Sequence, residues 1–505
     1  MLKFLKLKFL FFIQNYFISI KYKIMDETSS FAVMPSNADY TKVLPLAVES
    51  RSRRRTFFPV NGQSFTSDGN NIIRIDVSSD AFLDPKHSFL RMTFTNNSGQ
   101  SLGFDYGGGH GLIERLRIEQ AGNVLSDVNH YNKLMSAIIL PSQGGVDSLA
   151  HRSLTEGQAF LNQNGNGNSM NPAPAAQVGG ATMGTPSQTN GLVANGATYT
   201  FSIPLVNGLL GTMQDKMVPL QLLGSSPLTI EIQLAPLRDV GSIAAAAPAA
   251  GTNYSISNVR YIANLVEVGP EVDANLRMVQ ELSGGRLVLN GVDYTHFNGN
   301  VPAGAVGNQV VNVPARRKSL KSLFFVGASK SYAADGAGGA EHGFVYNLSY
   351  GGNFNMTNYQ LKIGSVLYPP TPVDCQFAGG AAFDRGEAIA ELSKCLGVLG
   401  SAHGTGVLQT TNTYVADCDV ANMTIPAAVG GNPPTTLQFS PFGMDLESFQ
   451  RTAIESGVNT ADASLPISLI LNIGAANAEA INVDAYVSYD SLYFIDETGT
   501  IRVSM

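Results

Sequence analysis

The sequence predicts an all-β chain built from two similar β-sandwiches, each an eight-stranded jelly roll carrying one short helix and long loops. Three observations carry this. Short apolar runs alternate with a period of two, the mark of strands with one face buried. Gly, Pro, Asn and Asp stand at nearly every boundary between those runs. The two halves also share one order of parts: strands, a helix, a long low-complexity loop, then strands to the end.

Strand signals begin after Phe57, in order along the chain. IIRIDV (72–77) alternates, and FLRMTF (89–94) places Leu90, Met92 and Phe94 on one face. PLTIEIQL turns Leu228, Ile230, Ile232 and Leu234 inward and leaves Thr229, Glu231 and Gln233 outward. YSISNVRYIANLVEV (254–268) is a longer strand or a strand pair. The second half repeats the theme with RLVLNGV, LKSLFFVGA, NYQLKIGSVLY, LPISLILNI, INVDAYVSYD and TIRVS.

Two segments have helical spacing. HYNKLMSAIIL (130–140) puts Leu134, Ala137 and Ile138 on one face. FDRGEAIAELSKCLGVLG does the same with Ile389, Leu392, Leu396 and Leu399, with Asp384 as N-cap and Gly400 as the stop. Each follows a strand-and-turn passage and precedes a loop rich in Gly, Asn, Pro and Thr: 162–191, and about 400–434. The expected division is an N-terminal arm over 1–54, a first jelly roll over 55–275 and a second over 276–505. The boundary falls near Pro270–Glu281.

Composition narrows the function. Lys+Arg number 32 against 39 Asp+Glu, so the chain is mildly acidic, which argues against a general nucleic-acid coat. Charged residues make up 14%, well below the usual share of about 25%. Gly, Asn, Ser, Thr and Ala take their place. Such a neutral polar surface can be buried against other copies without stripping water from many ions. Cys375, Cys395 and Cys418 form no CxxC pair and no disulfide framework, so free thiols in a reducing compartment are expected.

The first 24 residues stand apart, apolar and basic with no acid before Asp26. No small-residue cleavage site follows, and the apolar run Phe9–Ile20 is short for a bilayer. The stretch reads equally as a segment lying on a membrane surface and as sequence upstream of an alternative start at Met25. Residues 1–55 hold ten Lys/Arg against four acids. From Met25 the arm keeps one basic cluster, Arg51, Arg53, Arg54 and Arg55, just before the first strand. Nucleic acid, anionic lipid and a neighbouring subunit's acids are all suitable partners for it.

Catalytic patterns are absent or accidental. Gly99-Gln100-Ser101-Leu102-Gly103 spells GxSxG, but a turn-rich loop follows where a nucleophile elbow needs a helix, so it reads as a turn. His110 lies nearby without a placed acid. The seven histidines (His87, His110, His130, His151, His296, His342 and His403) make no zinc spacing. Without a GK dipeptide there is no phosphate-cradling P-loop. Asp445 with Glu447, and Asp484 with Asp490, read as turn and solvent-facing residues rather than a glycosidase pair. Five Asn-x-Ser/Thr sequons, at Asn96, Asn253, Asn347, Asn355 and Asn422, read as chance. The absence of Trp counts modestly against a sugar-stacking platform. No catalytic residue, cofactor, metal or small-molecule substrate is expected.

The strings FFPVNGQSFTSDGNNIIRIDV, FLDPKHSFLRMTFTNN and GLIERLRIEQAGNVLSDVNHYNKL, in that order, resemble the opening of major capsid proteins of polintons (Mavericks), adintoviruses and polinton-like viruses. The second half is similar to theirs through RRKSLKSLFFV, YQLKIGSVLYPP, AIAELSKCLG, DLESF, SGVNT and INVDAYVSYDSLYFID. The resemblance runs from about Arg53 to the C-terminus. It implies a double jelly roll, two eight-stranded sandwiches side by side. It also implies a homotrimeric, pseudo-hexameric capsomer tiling an icosahedral shell around double-stranded DNA.

Expected partners are two further copies, neighbouring capsomers and a minor capsid or penton protein. The N-terminal arm would make weak contact with DNA or an internal membrane, and the location would be the virion. Loops 141–198 and 400–436 would project outward, and residues 26–56 would form an inner arm. The segment 1–24 departs from the family pattern. The alternative from another class is a receptor- or carbohydrate-binding β-sandwich of a spike or adhesin.

Overall fold

Sixteen principal strands pair into four large antiparallel sheets in the computed structural model of the chain, with short strands added at their margins. It describes residues 50–99, 102–104, 107–140, 155–157, 193–212, 216–224, 226–243, 253–329, 348, 354–375, 377–378, 382–383, 386–396, 441–448, 457–462, 465–477 and 480–504. Both low-complexity loops and the whole of 1–49 therefore lie outside the described residues, as do Asp384 and Gly400.

The eight principal strands of the first half are β1 (Ser50–Phe57), β2 (Ile72–Val77), β3 (Phe82–Asn97), β4 (Ile113–Gln120), β5 (Asn123–Asn129), β6 (Thr198–Ile203), β7 (Leu228–Leu234) and β8 (Asn253–Val268). They form one sheet in the order β1-β8-β3-β6 and a second in the order β2-β7-β4-β5. The next eight are β9 (Arg286–Val301), β10 (Gly307–Asn312), β11 (Leu320–Ser329), β12 (Met356–Ile363), β13 (Val366–Asp374), β14 (Pro441–Asp445), β15 (Ile467–Ile473) and β16 (Ile481–Asp496). Their sheets run β9-β16-β11-β14 and β10-β15-β12-β13.

The two orders are identical strand for strand. Strands one, eight, three and six of each half face strands two, seven, four and five, which is the jelly-roll connection. The chain is a double jelly roll. Its helices also fall at equivalent places, between the fifth and sixth strands. The first is α1 (Tyr131–Lys133), which runs on as a π-helical turn (Leu134–Ile139). Joining the halves is α2 (Pro270–Leu282), and the later equivalent of α1 is α3 (Gly386–Cys395).

Alternation explains the cores. Along β7 every second residue is buried, as the pattern of Leu228, Ile230, Ile232 and Leu234 requires. In the first sandwich the Phe94 ring lies 5.1 Å from Phe104 and 5.4 Å from Tyr254, and the Tyr254 hydroxyl donates to the Ala235 carbonyl. In the second, Phe325 lies 5.1 Å from both Tyr359 and Phe442, and the Tyr359 hydroxyl donates to the Gly443 carbonyl at 3.0 Å. Each such ring contributes about 1.5–3 kcal/mol by leaving water. A hydroxyl inside the core is tolerated because it finds an acceptor.

Three features differ from expectation. The arginine run expected to precede the first strand is that strand: Arg51 to Arg55 pair in register with Glu267 to Ala263 of β8. Pairing against a long central strand overrides the weak β-propensity of the run. Residues 254–268 belong to one sixteen-residue strand, not a pair. Helix α2 fills the stretch expected to hold only a boundary, with Pro270 in its first turn beside Glu271 and Asp273.

Candidate functional site: the junction between the two jelly rolls

The most elaborate polar chemistry in the described residues joins the two halves. The outer face of the β9-β16-β11-β14 sheet, turned away from its own core, carries Phe324, Val326 and Tyr486 into the hydrophobic core of the first half. Leu289, Tyr493, Ile495 and Ile501 join the same core. What the first half presents is its β5 side: the strand itself, the β4–β5 turn and α1. Three polar contacts pin that surface.

Asp484 of β16 is the centre of the first contact. Its carboxylate pairs with the Lys133 ammonium of α1, and both side chains are buried. The second carboxylate oxygen lies 2.9 Å from His296 Nε2 and accepts from Asn298 Nδ2 at 3.0 Å. Burial alone would push the Asp484 carboxyl up. The Lys133 charge and the His296 contact outweigh burial and hold the group well below the usual carboxylate range. His130, in the left-handed region at φ 48°, brings its ring to 4.6 Å from that of His296. Its carbonyl accepts from the Tyr486 hydroxyl at 3.0 Å.

The second contact is built on Asp293 of β9, which is fully buried. One carboxylate oxygen accepts from Ser126 Oγ of β5 at 3.0 Å, from the Tyr294 amide at 2.9 Å and from the Gly208 amide at 3.3 Å. Burial pushes this carboxyl up to about 6, against the pull of those hydrogen bonds. Gly208 and Gly291 permit the approach: a Cβ on Gly208 would lie 2.0 Å from the Tyr493 hydroxyl.

In the third contact the Gln120 amide replaces a missing strand neighbour. Gln120 Nε2 donates to the Gly499 carbonyl at 3.1 Å, and its oxygen accepts from the Ile501 amide at 3.0 Å. Asn123 Nδ2 donates to the Ile501 carbonyl at 3.4 Å. Below them, Gln280 of α2 donates to the Ile495 carbonyl at 3.3 Å.

These groups bind the two halves to each other. Among the described residues no His, Cys, Asp and Glu cluster has metal-binding geometry. An apolar pocket of about 20 Å³ in the second core is lined by Val301, Phe325, Met356, Phe442, Leu471 and others, with no polar side chain to orient a ligand. Asp490, one of the sequence's candidate carboxylates, accepts from Ser319 Oγ at 2.5 Å and sits 3.3 Å from the Lys321 ammonium. Lys321 also pairs with Glu447 at 3.0 Å. Asp445 accepts from the Glu447 amide at 3.0 Å.

His110 is buried, 3.2 Å from the Tyr131 hydroxyl and 3.6 Å from Glu156. Ser101 lies outside the described residues, but the GxSxG stretch leads into the short strand Leu102–Phe104, paired with Gly241–Ile243. Cys375 and Cys395 are free thiols. Cys418, His151, His342 and His403 lie outside the described residues.

The arginines of β1 make different contacts. Arg53 reaches Asp80 and Glu267, each at 2.8 Å, while Arg54 stacks over Phe89 at 5.6 Å and Arg55 over Phe57 at 5.0 Å. Arg51, Arg54 and Arg55 are exposed. No described helix is long and apolar enough to cross a membrane.

Sequence reasoning missed Lys133, Asp293 and Gln120 as junction residues. The available signal was an ionisable or amide group placed where period-2 or helical spacing demanded an apolar one.

No known protein family matches the sequence, and no curated protein matches it. Solved structures do. A chain of the Sputnik virophage, determined at 3.5 Å by cryo-EM, matches with a TM-score of 0.52 and 11% identity over 94% of this chain and 92% of that one. PBCV-1 VP54, fitted into a cryo-EM reconstruction of the virophage Sputnik, matches with a TM-score of 0.50 and 10% identity over 92% of this chain and 99% of that one. The mavirus major capsid protein gives a TM-score of 0.48 and 11% identity over 93% of each chain. At these identities the first two likenesses establish the fold alone, in agreement with the strand order.

Proposed function

We propose that the chain is a viral major capsid protein, a structural subunit located in the virion. The observation that carries this reading is the repeat of one strand order twice in a chain, the two copies welded by a buried polar junction. That geometry supports a subunit offering two near-equivalent wedges to its neighbours. Three chains supply six wedges and so approximate a hexagon, which suits a homotrimeric capsomer in an icosahedral shell around double-stranded DNA. The likeness to the Sputnik and PBCV-1 chains points the same way.

The sequence resemblance to polinton, adintovirus and polinton-like virus capsids supports a member of that group. On the same reading the first jelly roll starts at Ser50 with β1 rather than at residue 55, the second begins after α2, and 1–49 is an extension toward the inner side. Exposed Arg51, Arg54 and Arg55, with Arg53, supply the basic cluster facing DNA, lipid or a minor capsid protein there.

Light scattering and negative-stain imaging of the purified chain test the proposal. The expected result is a particle of about 160 kDa, three times the chain mass of 53.6 kDa, with a hexagonal outline. A stable monomer with a defined cleft would overturn it in favour of a binding module.

A further inference from the structure

One β-bulge in the first half sets two positive charges side by side. Along the outer face of the β1-β8-β3-β6 sheet, Thr93 pairs with Ser257 and Arg91 with Arg260. Between those two rows β8 has two residues, Asn258 and Val259, where β3 has only Met92. The extra residue is Asn258, in the left-handed region at φ 51°, which asparagine tolerates better than most side chains. The insertion reverses the alternation of β8. Val259, like Tyr261, turns into the core, and Arg260 comes to the outer face. Without the bulge, Val259 would stand opposite Arg91 and Arg260 would point inward.

Like charges directly opposite on neighbouring strands, with Cβ atoms about 5 Å apart, destabilise the pair. Elsewhere in this half the sheet arginines meet acids: Arg74 pairs with Glu119 and Glu231, and Arg115 with Asp127. Arg91 and Arg260 are half-buried, and neither makes an ion pair or a hydrogen bond among the described residues. Arg260 Nε is shut off from solvent without an acceptor. The nearest acids along the sheet are engaged already. Asp84 holds His87 Nδ1 at 2.6 Å and Asn264 Nδ2 at 3.3 Å, and Glu267 holds Arg53. A third guanidinium, Arg54, lies 5.6 Å over the Phe89 ring in the row next to Arg91. On the other side of Arg91 stands Ser202 of β6, half-buried between the core residues Phe201 and Ile203.

We propose that Arg91 and Arg260 form a binding site for a tetrahedral oxyanion of the phosphate class, with Ser202 as a neighbouring hydroxyl donor. Two planar guanidiniums offer paired N–H groups that match the oxygens of such an anion. The bound anion replaces one repulsive contact by two attractive ones and gives Arg260 Nε an acceptor. The site lies within a single chain and does not rest on the capsomer reading.

The test is equilibrium dialysis of the full chain against radiolabelled inorganic phosphate, at fixed ionic strength in sodium chloride. The variants are Arg91→Gln, Arg260→Gln and, as control, Arg502→Gln, which removes an exposed arginine paired with Asp496. Circular dichroism establishes that each is folded. The expected result is saturable uptake by the parent and by Arg502→Gln, weakened about tenfold or more in each of the other two. Phosphate should likewise raise the melting temperature of the parent and of Arg502→Gln but not of Arg91→Gln or Arg260→Gln. A parent without saturable uptake would overturn the site. So would uptake that Arg91→Gln or Arg260→Gln leaves unchanged, or that Arg502→Gln also removes. Should Arg260→Gln be unfolded, Arg260→Lys replaces it: the charge stays, the planar fork is lost, and uptake is again expected to weaken. Undiminished uptake by that variant would count against the site in the same way.

Discussion

Gly208 and Gly291 bring the backbones of the two jelly rolls together so closely that a Cβ built on Gly291 would lie 1.9 Å from the Gly208 carbonyl oxygen. Neither residue is in the left-handed region, so the requirement for glycine is one of space rather than of backbone conformation. The obstacle is main chain held in place by the neighbouring Asp293 bonds, which cannot rotate away.

Gly291→Ala is therefore expected to cost about 1–3 kcal/mol, the usual penalty of overpacking. Gly386→Ala, at a site with open space around the new methyl, provides the comparison and is expected to be neutral or slightly stabilising. Urea unfolding of both measures the difference. Equal midpoints would mean that the two backbones do not meet as described.

Lys133→Met removes the cation from a buried pair and leaves the buried Asp484 with only His296 and Asn298 beside its carboxylate. Breaking a buried pair from one side costs about 3–5 kcal/mol. Adding Asp484→Asn to that variant is expected to recover part of the loss, because the neutral amide needs no counter-ion. The single variant should also regain stability on acidification, as the unpaired carboxyl takes up a proton. Denaturation of the parent, the single variant and the double variant at pH 5 and pH 8 checks both expectations. A double variant no more stable than the single one would remove Asp484 as the cause.

Gln120→Ala deletes the amide that stands in for a strand neighbour. The Ile501 amide and the Gly499 carbonyl then lose their partner inside the junction, at about 1–3 kcal/mol for each buried group left unsatisfied. Because both partners lie in the turn after β16 and the short strand Ile501–Ser504 that pairs back on it, loosening should begin there. Hydrogen exchange at Ile501 is expected to rise more than at Ile230 in the first core. Uniform change at both positions would contradict this.

How much of this could be read in advance follows from how local each signal is. The period-2 runs were legible because alternation is written within six or eight residues, as in Leu228 to Leu234. The arginine strand β1 was not, since its partner β8 lies about two hundred residues further on and supplies the register. Helix α2 hid for a different reason. Val272 and Leu276 are half-buried while Met278, Val279 and Leu282 are exposed, so its apolar residues mark no single face. The junction was illegible in principle: Lys133 and Asp484 meet across 351 residues, and only the folded chain puts them side by side. Asp484 and Asp490 read from the sequence as turn and solvent-facing residues, yet both are buried within β16, and the role of Asp484 depends on a lysine no spacing rule could pair with it.

Asp293 makes stability depend on pH with a definite sign. Its carboxyl is held at about 6 in the folded chain against 3.8 for an ordinary aspartate, so the folded state binds the proton more tightly than the unfolded one. The burden of the buried charge is fully present above pH 6 and disappears as the pH falls below the unfolded value. At about 1.4 kcal/mol per pKa unit, a shift of roughly two units amounts to at most about 3 kcal/mol. His130 works in the opposite direction, since burial and the nearby His296 hold its ring below the ordinary histidine value. It is present in parent and variant alike and cancels from their difference. Asp293→Asn keeps an oxygen for Ser126, Gly208 and Tyr294 to donate to, but cannot ionise. Relative to this variant, the parent should therefore gain stability between pH 8 and pH 4, by up to that amount. Urea unfolding of the two proteins at pH 4, 6 and 8 measures it. A constant difference across the range would mean that Asp293 titrates alike in the folded and unfolded chains, and that its burial at the junction carries no electrostatic burden.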